Sequence, residues 1–503
     1  MTSDGGPDPP ELRAIPRRRR AALPASSSGG PPSPPPRQAP AILPPIERVP
    51  REGPMPATFY QQWAWESLNG RASPDFNLPF AVRYTDPISI PALLASLREL
   101  ERRHEGLRTS LIPDADEPWT VCQVIHPPGG LQVPMIDLSG LPGEVRADEL
   151  GRLAVEDASI AIELARPMLR VRLVRLDGAD HVLLFNLGHL ICDGWSIEIL
   201  RGELAALYAG FAAGRPSLLP ELPVQLADFA AWQQRIAAGD AVAGQLDYWR
   251  RRLAGVPPPL VLDGDWRPER SRGTEQAACW FSPLDTARVR GLARAQAATT
   301  PLVVLTALGM LLAAYTGETD LVIESKVLGR TRPEVAGIVG LFMNSLPHRL
   351  ELAGRPGFAE ALRRTRDGVL EDYCNQDVTY PQILRELFPG RRHLSRIGFN
   401  VEVSAERTAF EVRDREEDVF SHQGRRPDSE RVKYDLLLYA REDREQLRLM
   451  LVADGSRFRQ ETVAGIAADL EELIRHALGD PAAPAERLLP RPRYLRKIAE
   501  SQL

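Results

Sequence analysis

The stretch NLGHLICDGWSIEIL, residues 186–200, decides how the chain is read. The apolar run from Val182 to Phe185 predicts a buried strand that breaks off at Gly188-His189. After three more residues Asp193-Gly194 supplies a turn. A helix is then predicted, with Ile197, Leu200, Leu204, Leu207 and Phe211 on one side. An imidazole thus stands at the exit of a strand and a carboxylate at the entrance of a helix. Imidazole is the side chain that takes up a proton near neutral pH without a large shift, so His189 is the candidate base. Asp193 either orients that ring or pairs with an arginine that holds the loop. Taken alone, the spacing arises often by chance, and a histidine at a strand end is usually a hydrogen-bonded structural residue.

Other polar residues set in apolar surroundings strengthen the case. In RHEGLRT (103–109), Arg103 suits a solvated helix end, whereas Arg108 lies between Leu107 and Leu111 and needs a buried acid, for which Asp193 is the candidate. QLADFAAWQ (225–233) and GRTRPEVAGIVGLFMNSLPHR (329–349) repeat the pattern, and Asn344 is a strand amide that demands partners.

The 503 residues suffice for a large core and two or three domains. A formal net charge of −5 points to neither nucleic acid nor a membrane surface as partner. The apolar run Pro301–Tyr315 is shorter than the roughly 20 residues that cross a bilayer. The N-terminus lacks a secretory apolar core, so a cytoplasmic protein is expected. Cys122, Cys192, Cys279 and Cys374 form no CxxC pair and read as reduced thiols, with no disulfide framework and no metal site.

Residues 1–52, rich in Pro, Gly, Ser and Arg (SSSGGPPSPPPRQAP at 26–40), are expected to be a disordered tail. Its Arg17–Arg20 run reads as a solvated extension or a docking tail for an acidic partner. Two similar halves follow, 53–270 and 271–485, with the join at Val256–Gly273 and a tail at 486–503. Strands are expected at PFAVRY, LRTSLI and WTVCQVI, with a hairpin of MLRVRLVRL and HVLLFNL. Leu284 begins one helix of the second half, and Thr300 caps an apolar one whose first turn holds Pro301. Strands QAACWFS, DLVIESK, LFMNSLPHRLEL, RIGFNVEV, KYDLLLYA and QLRLMLVA complete it. Without a regular βαβ beat, the fold class is α+β, with a ligand cleft between the halves.

These pieces, in this order, resemble the condensation domain of nonribosomal peptide synthetases, in the HHxxxDG acyltransferase superfamily. The signature HHxxxDG reads Gly188-His189 through Asp193-Gly194, and RHExLRT reads RHEGLRT. LADFAAW resembles YADYAxW, and Tyr248-Trp249 with Leu253 resembles YWxxxL. Gly329, Arg330, Arg332, Pro333 and Glu334, then Gly340, Phe342, Asn344 and Arg349, resemble GRxRPE and GxFVNTxxxR. Thr58, Gln61 and Trp65 meet the opening SxAQxRxW in part. The likeness runs from about residue 55 to 485.

It implies two chloramphenicol-acetyltransferase-like subdomains forming a V, with His189 midway along a central tunnel. It also implies an acyl or peptidyl carrier protein as donor, and an amine or alcohol acceptor that is carrier-bound or free. The phosphopantetheine arm belongs to the carrier, so the enzyme needs no cofactor of its own. His189 would be base or positioning residue. Asp193 would be the structural partner of Arg108, with Arg103 as second choice. Gly194 would make the turn and bring its N–H near the reacting carbonyl. Asn344 would be a polar contact from the second half, with Gly188, Trp195 and Trp232 as supports. Three departures stand out: Gly188 replaces the first histidine, Trp63 stands where an arginine is usual, and NQDVTYPQ (375–382) replaces an HQDVPFE-like segment. Lacking adenylation and carrier domains, the chain is either a free-standing enzyme, the form expected, or a piece of a larger system. The absence of an EGHGRE-like motif argues against an epimerisation domain, and His189 against a cyclisation domain. The alternatives are a CoA-dependent acyltransferase of the same fold and a non-catalytic recruitment or scaffold protein.

Overall fold

The computed structural model describes residues 43–115, 120–237, 239–264, 273–402, 434–442, 446–488 and 492–494. The first half runs β1 (Met55–Pro56), α1 (Phe59–Ser67), β2 (Asn77–Tyr84), α2 (Ile90–Arg103), β3 (Thr109–Pro113), β4 (Val121–Ile125), β5 (Met135–Asp137), α3 (Gly143–Ser159), β6 (Leu169–Arg175), β7 (His181–Gly188) and α4 (Gly194–Ala212). Its strands form two sheets, β1-β4-β3 and β2-β7-β6-β5. β7 pairs on both edges and is buried at every residue, which fits the apolar run Val182–Phe185 at its centre.

α5 (Leu226–Ala237) and α6 (Asp240–Arg252) lead to the second half. That half runs β8 (Thr274–Trp280), α7 (Pro283–Ala295), α8 (Thr300–Thr316), β9 (Asp320–Val327), β10 (Asn344–Glu351), α9 (Phe358–Cys374), α10 (Tyr380–Leu387), β11 (Ile397–Glu402), β12 (Leu436–Glu442), β13 (Leu447–Asp454), α11 (Gln460–Gly479) and α12 (Ala485–Leu488). One sheet of order β10-β9-β11-β12-β13-β8 holds these strands, with β11 parallel to both neighbours. α8 is apolar on every side because it is packed on every side, and Gly317 ends it at φ +76°. Thr299, not Thr300, occupies its cap position. Among the described residues no single helix is long and apolar enough to cross a membrane. The architecture is α+β, as expected.

The linear division into halves needs adjustment. α5 and α6 share one core with Val322, Val335, Ile338, Phe342 and Leu346 of the second half. Leu43 and Ile46 belong to that same core, and Arg51 pairs with Asp228 at 2.7 Å and Glu105 at 2.9 Å. The described part of the compositional tail, 43–52, is therefore packed: its apolar and charged side chains find partners that composition cannot reveal. The Arg17–Arg20 run lies outside the described residues. Tyr494, assigned to the C-terminal tail, is likewise buried and stacks on Tyr315 at 4.3 Å.

The two halves meet at Asp193, which caps α4 by accepting from Ser196 N–H at 2.8 Å. Its carboxylate pairs with Arg330 at 3.0 Å and accepts from Phe342 N–H at 3.2 Å. Both side chains of the pair are 4 % exposed. Arg330 also donates to the carbonyls of Val335 and Ile338 at 2.6 and 2.7 Å and lies over the Phe342 ring. The turn before it requires glycine: Gly329 has φ +64°, and a Cβ there would fall 1.9 Å from the Phe342 carbonyl oxygen.

Arg108 is thus not the partner of Asp193. It donates to the His126 carbonyl and lies 4.0 Å from Glu105, and burial lowers its pKa. It sits in a 3₁₀ turn before β3, so its side chain follows that turn and not the core-facing side of a strand. Arg103 is not the partner either. With His104 it binds Glu203 of α4, at 3.0 and 2.8 Å respectively.

Removing one member of a buried pair strands the other, so Arg330→Met is expected to cost about 3 kcal/mol or more in urea unfolding. Arg108→Met, losing a bond to a carbonyl, is expected to cost about 1 kcal/mol. A second expectation concerns acid. Burial raises the Glu203 carboxyl, but hydrogen bonds from His104 and Arg103 together outweigh it and hold the group at about 2, against an ordinary 4.5. A depressed pKa stabilises above the unfolded value, and the gain is lost as pH falls toward the folded value. Glu203→Gln should therefore flatten the stability–pH curve between about 4.5 and 2, read from denaturant midpoints.

Candidate functional site

His189 follows β7 directly and is half-buried. Its backbone N–H donates to the Phe76 carbonyl at 2.7 Å, and its Nδ1 lies 2.8 Å from the Cys192 carbonyl oxygen. A carbonyl only accepts, so Nδ1 carries the hydrogen, and in the neutral ring the lone pair is on Nε2. The loop Leu190–Asp193 therefore fixes both the tautomer and the orientation of the ring. Gln61 of α1 holds the same loop, donating to the Leu190 carbonyl at 2.8 Å. The sequence counted Gln61 only as part of a partial motif. Its bond to residue 190 could not be read from spacing.

Gly188 precedes the imidazole and pairs with Asn77 in the β2–β7 ladder. A Cβ here would lie 3.0 Å from both Cβ and Sδ of Met168, which is fully buried. The space beside the strand end is filled by a thioether, and the absent side chain and the large one fit as a pair.

Gly194 opens α4, is exposed, and has open space where a Cβ would lie. Its N–H meets no acceptor among the described residues. It belongs to the positive end of a 19-residue helix, where developing negative charge is stabilised. Asp193, which caps this helix end, faces Arg330 across the junction.

The remaining sequence-predicted residues are structural in their contacts. Asn344 is buried, but its amide is used by the chain itself. It donates to the carbonyls of Gln376 and Val378 and accepts from the N–H groups of Ser345 and Tyr380. It clamps β10 to the 376–380 segment and has no arm to spare for a ligand. Trp195 donates to the Ala336 carbonyl at 3.2 Å, and Trp232 to that of Pro44 at 2.8 Å. Cys192 is buried and its thiol is pushed far up by desolvation, which removes it as a nucleophile.

A second constellation was not foreseen. His348 bridges Asp372 at 2.6 Å and Ser325 at 2.7 Å, in the hydrogen-bond order of a nucleophilic triad. The three residues are 1 %, 0 % and 5 % exposed in that order, and Asp372 also accepts from Tyr248 and lies near Arg252. A serine buried in a central strand cannot reach a substrate, so this is a satisfied polar node between β9, β10 and α9. Two cavities are described. One of about 450 Å³ is lined by Arg391, Arg392, His393, Arg396 and Tyr434 among others, and by none of the sequence-predicted residues. A crevice of about 30 Å³ is lined by Tyr60, Trp232, Phe342 and Asn344 among others. Among the described residues no cluster of His, Cys, Asp and Glu could hold a metal.

An oriented imidazole with an available Nε2, beside the N-terminus of a long helix, can accept a proton from a nucleophile next to a site that favours an oxyanion.

Known proteins resemble this chain. A linear gramicidin synthase of Brevibacillus parabrevis is 37 % identical over 346 residues, which is 67 % of this chain and 7 % of that protein. Phosphinothricin tripeptide synthetase PhsB of Streptomyces viridochromogenes is 33 % identical over 467 residues, 90 % of this chain and 39 % of the other. The chain thus spans well under half the length of these relatives. Among solved structures, the X-domain from teicoplanin biosynthesis, in complex with OxyB, superimposes with a TM-score of 0.73 at 25 % identity, covering 89 % of this chain and 98 % of that one. The family model for the condensation domain matches residues 51–492, and with the His189 loop, the Asp193 cap and the two α+β halves in place, the chain belongs to the condensation-domain family.

Proposed function

We propose that the chain is a condensation enzyme, moving an acyl or aminoacyl group from a carrier-protein phosphopantetheine thioester to an amine or hydroxyl. In this reading the halves form a V around a tunnel and the carrier supplies the only prosthetic arm. The observation that supports it best is the His189 ring, held by the Cys192 carbonyl so that Nε2 is the lone pair available.

The nucleophile adds to the thioester carbon, and its proton passes to His189 Nε2 as the tetrahedral adduct forms. The negative charge on oxygen falls near the Gly194 N–H at the head of α4. Collapse of the adduct breaks the C–S bond, and the thiolate of the arm takes up a proton. An amine is nucleophilic once unprotonated, so placing it in line supplies much of the rate. A hydroxyl depends more on the base. A CoA thioester offers the same reacting bond, so the CoA-dependent alternative differs only in what carries the arm.

A second reading, a recruitment module without chemistry, draws on Gly188 and on the likeness to an X-domain that forms a complex with OxyB. Product analysis by mass spectrometry, with loaded carrier proteins, loaded CoA and free nucleophiles, separates the three readings. Carrier binding without product across donors would favour the module.

His189→Ala is expected to lower kcat at least about a hundredfold with hydroxyl acceptors and by less with amines. Undiminished turnover with both would remove the ring from the mechanism. Gly188→His is expected to cost about 2 kcal/mol through overpacking against Met168. Adding Met168→Ala should recover part of that loss, a non-additive pair readable from thermal unfolding.

A further inference from the structure

The cavity of about 450 Å³ lies against the segment that joins α10 to β11. That segment is anchored at its centre. Leu394 N–H donates to the Tyr380 hydroxyl at 2.9 Å, and Ser395 Oγ lies 2.6 Å from the Val322 carbonyl oxygen of β9. Leu394 and Ser395 are both buried. The side chains flanking this anchor, Arg391, Arg392 and His393 before it and Arg396 after it, all line the cavity.

Charge is unevenly matched here. Asp435 is buried, and its carboxylate accepts from Arg396 Nε at 2.6 Å and from Arg457 at 2.6 Å. One negative charge therefore serves two guanidinium groups. Asp454, at the end of β13, accepts from the N–H and hydroxyl of Ser456 at 2.9 and 2.7 Å. Arg391 and Arg392 are exposed and form no ion pair among the described residues, although Arg391 lies over the Phe388 ring at 5.3 Å. The four guanidinium groups of Arg391, Arg392, Arg396 and Arg457 thus stand with the two carboxylates of Asp435 and Asp454, an excess of two positive charges. An ordinary solvated surface does not account for this. Arg102, Arg152 and Arg363 are likewise exposed, and each binds two carboxylates. At residues 391 and 392 like charges stand side by side at a concavity, whose walls focus their field on an anion.

We propose that this cavity is a binding site for a small organic phosphomonoester, separate from the His189 site. A phosphomonoester carries about −1.5 to −2 charge near pH 7 and presents three acceptor oxygens, which matches the excess. Guanidinium forks bind such oxygens two at a time. A carboxylate brings a single charge, and so does a phosphodiester, the group that joins a pantetheine arm to its carrier. The volume lies within the range of organic-ligand pockets, roughly 300–1,000 Å³, so the ester's organic body has room against Pro258, Pro259 and Tyr434. None of Gln61, Phe76 and Cys192, the residues that orient His189, lines the cavity, and the proposal does not rest on acyl transfer.

The test titrates phenyl phosphate, methyl phenyl phosphate, benzoate and inorganic phosphate into the full chain by calorimetry. The same titrations are run on Arg391→Gln/Arg392→Gln, and on Arg152→Gln/Arg363→Gln as a control that removes two exposed arginines elsewhere. Thermal unfolding checks that both variants fold. Phenyl phosphate is expected to saturate one site and to bind at least about tenfold more tightly than each of the other three compounds. The 391/392 variant should lose at least about tenfold in that affinity, and the control should keep it. Equal affinity for any of the other three compounds would overturn the proposal. So would an equal loss in the control, an undiminished affinity in the 391/392 variant, or no saturation by phenyl phosphate below about 1 mM.

Discussion

The carboxylate of Asp193 ties three things together: the first turn of α4, the Arg330 guanidinium, and the Phe342 N–H that leads into β10. It lies four residues after His189, and the Cys192 carbonyl that fixes the imidazole is its immediate neighbour. Moving this carboxylate would disturb the ring's orientation and the contact between the halves together. A buried pair of this kind contributes modest net stability, yet losing one member is severe. Its value lies in register, since only one placement of residues 329–342 satisfies the arginine, the carboxylate, Ser196 and Phe342 together.

Local pattern carried the sequence reading far, and long-range pairing limited it. β7 was legible because a strand buried on both faces carries an apolar run, here Val182–Phe185, and α8 because a largely buried helix does the same. The place of His189 at a strand exit was legible from where the β7 run ends. The acid partner of Arg108 was misread because two residues 85 positions apart in sequence carry no record of which arginine arrives first. Arg330 lies 137 residues from Asp193 in sequence, and only the fold brings the two together. The same holds for residues 43–52, whose proline-rich composition hides Leu43 and Ile46 in the junction core. β5, only three residues long, and α3 went unread.

Asn344 shows how a correct premise leads to an incomplete conclusion. A buried strand amide does need partners, and it has them, but all are backbone groups of its own surroundings. Satisfaction by the chain and availability to a ligand exclude one another for a side chain with so few donors and acceptors. The Ser325–His348–Asp372 node makes the converse point. Its distances resemble those of a nucleophilic triad, and its burial removes it from chemistry.

Gly188 brings these strands together. A side chain there would lie against the strand-end packing, where Met168 already fills the volume. The groups that orient His189 are the Cys192 carbonyl, the Phe76 carbonyl and, through Leu190, Gln61. None of them depends on a side chain at position 188. An imidazole at that position would therefore serve packing more than proton transfer, and a glycine matched to a methionine can serve packing equally well. The chemistry of the loop is set by backbone carbonyls, which the sequence specifies only through the fold that aims them.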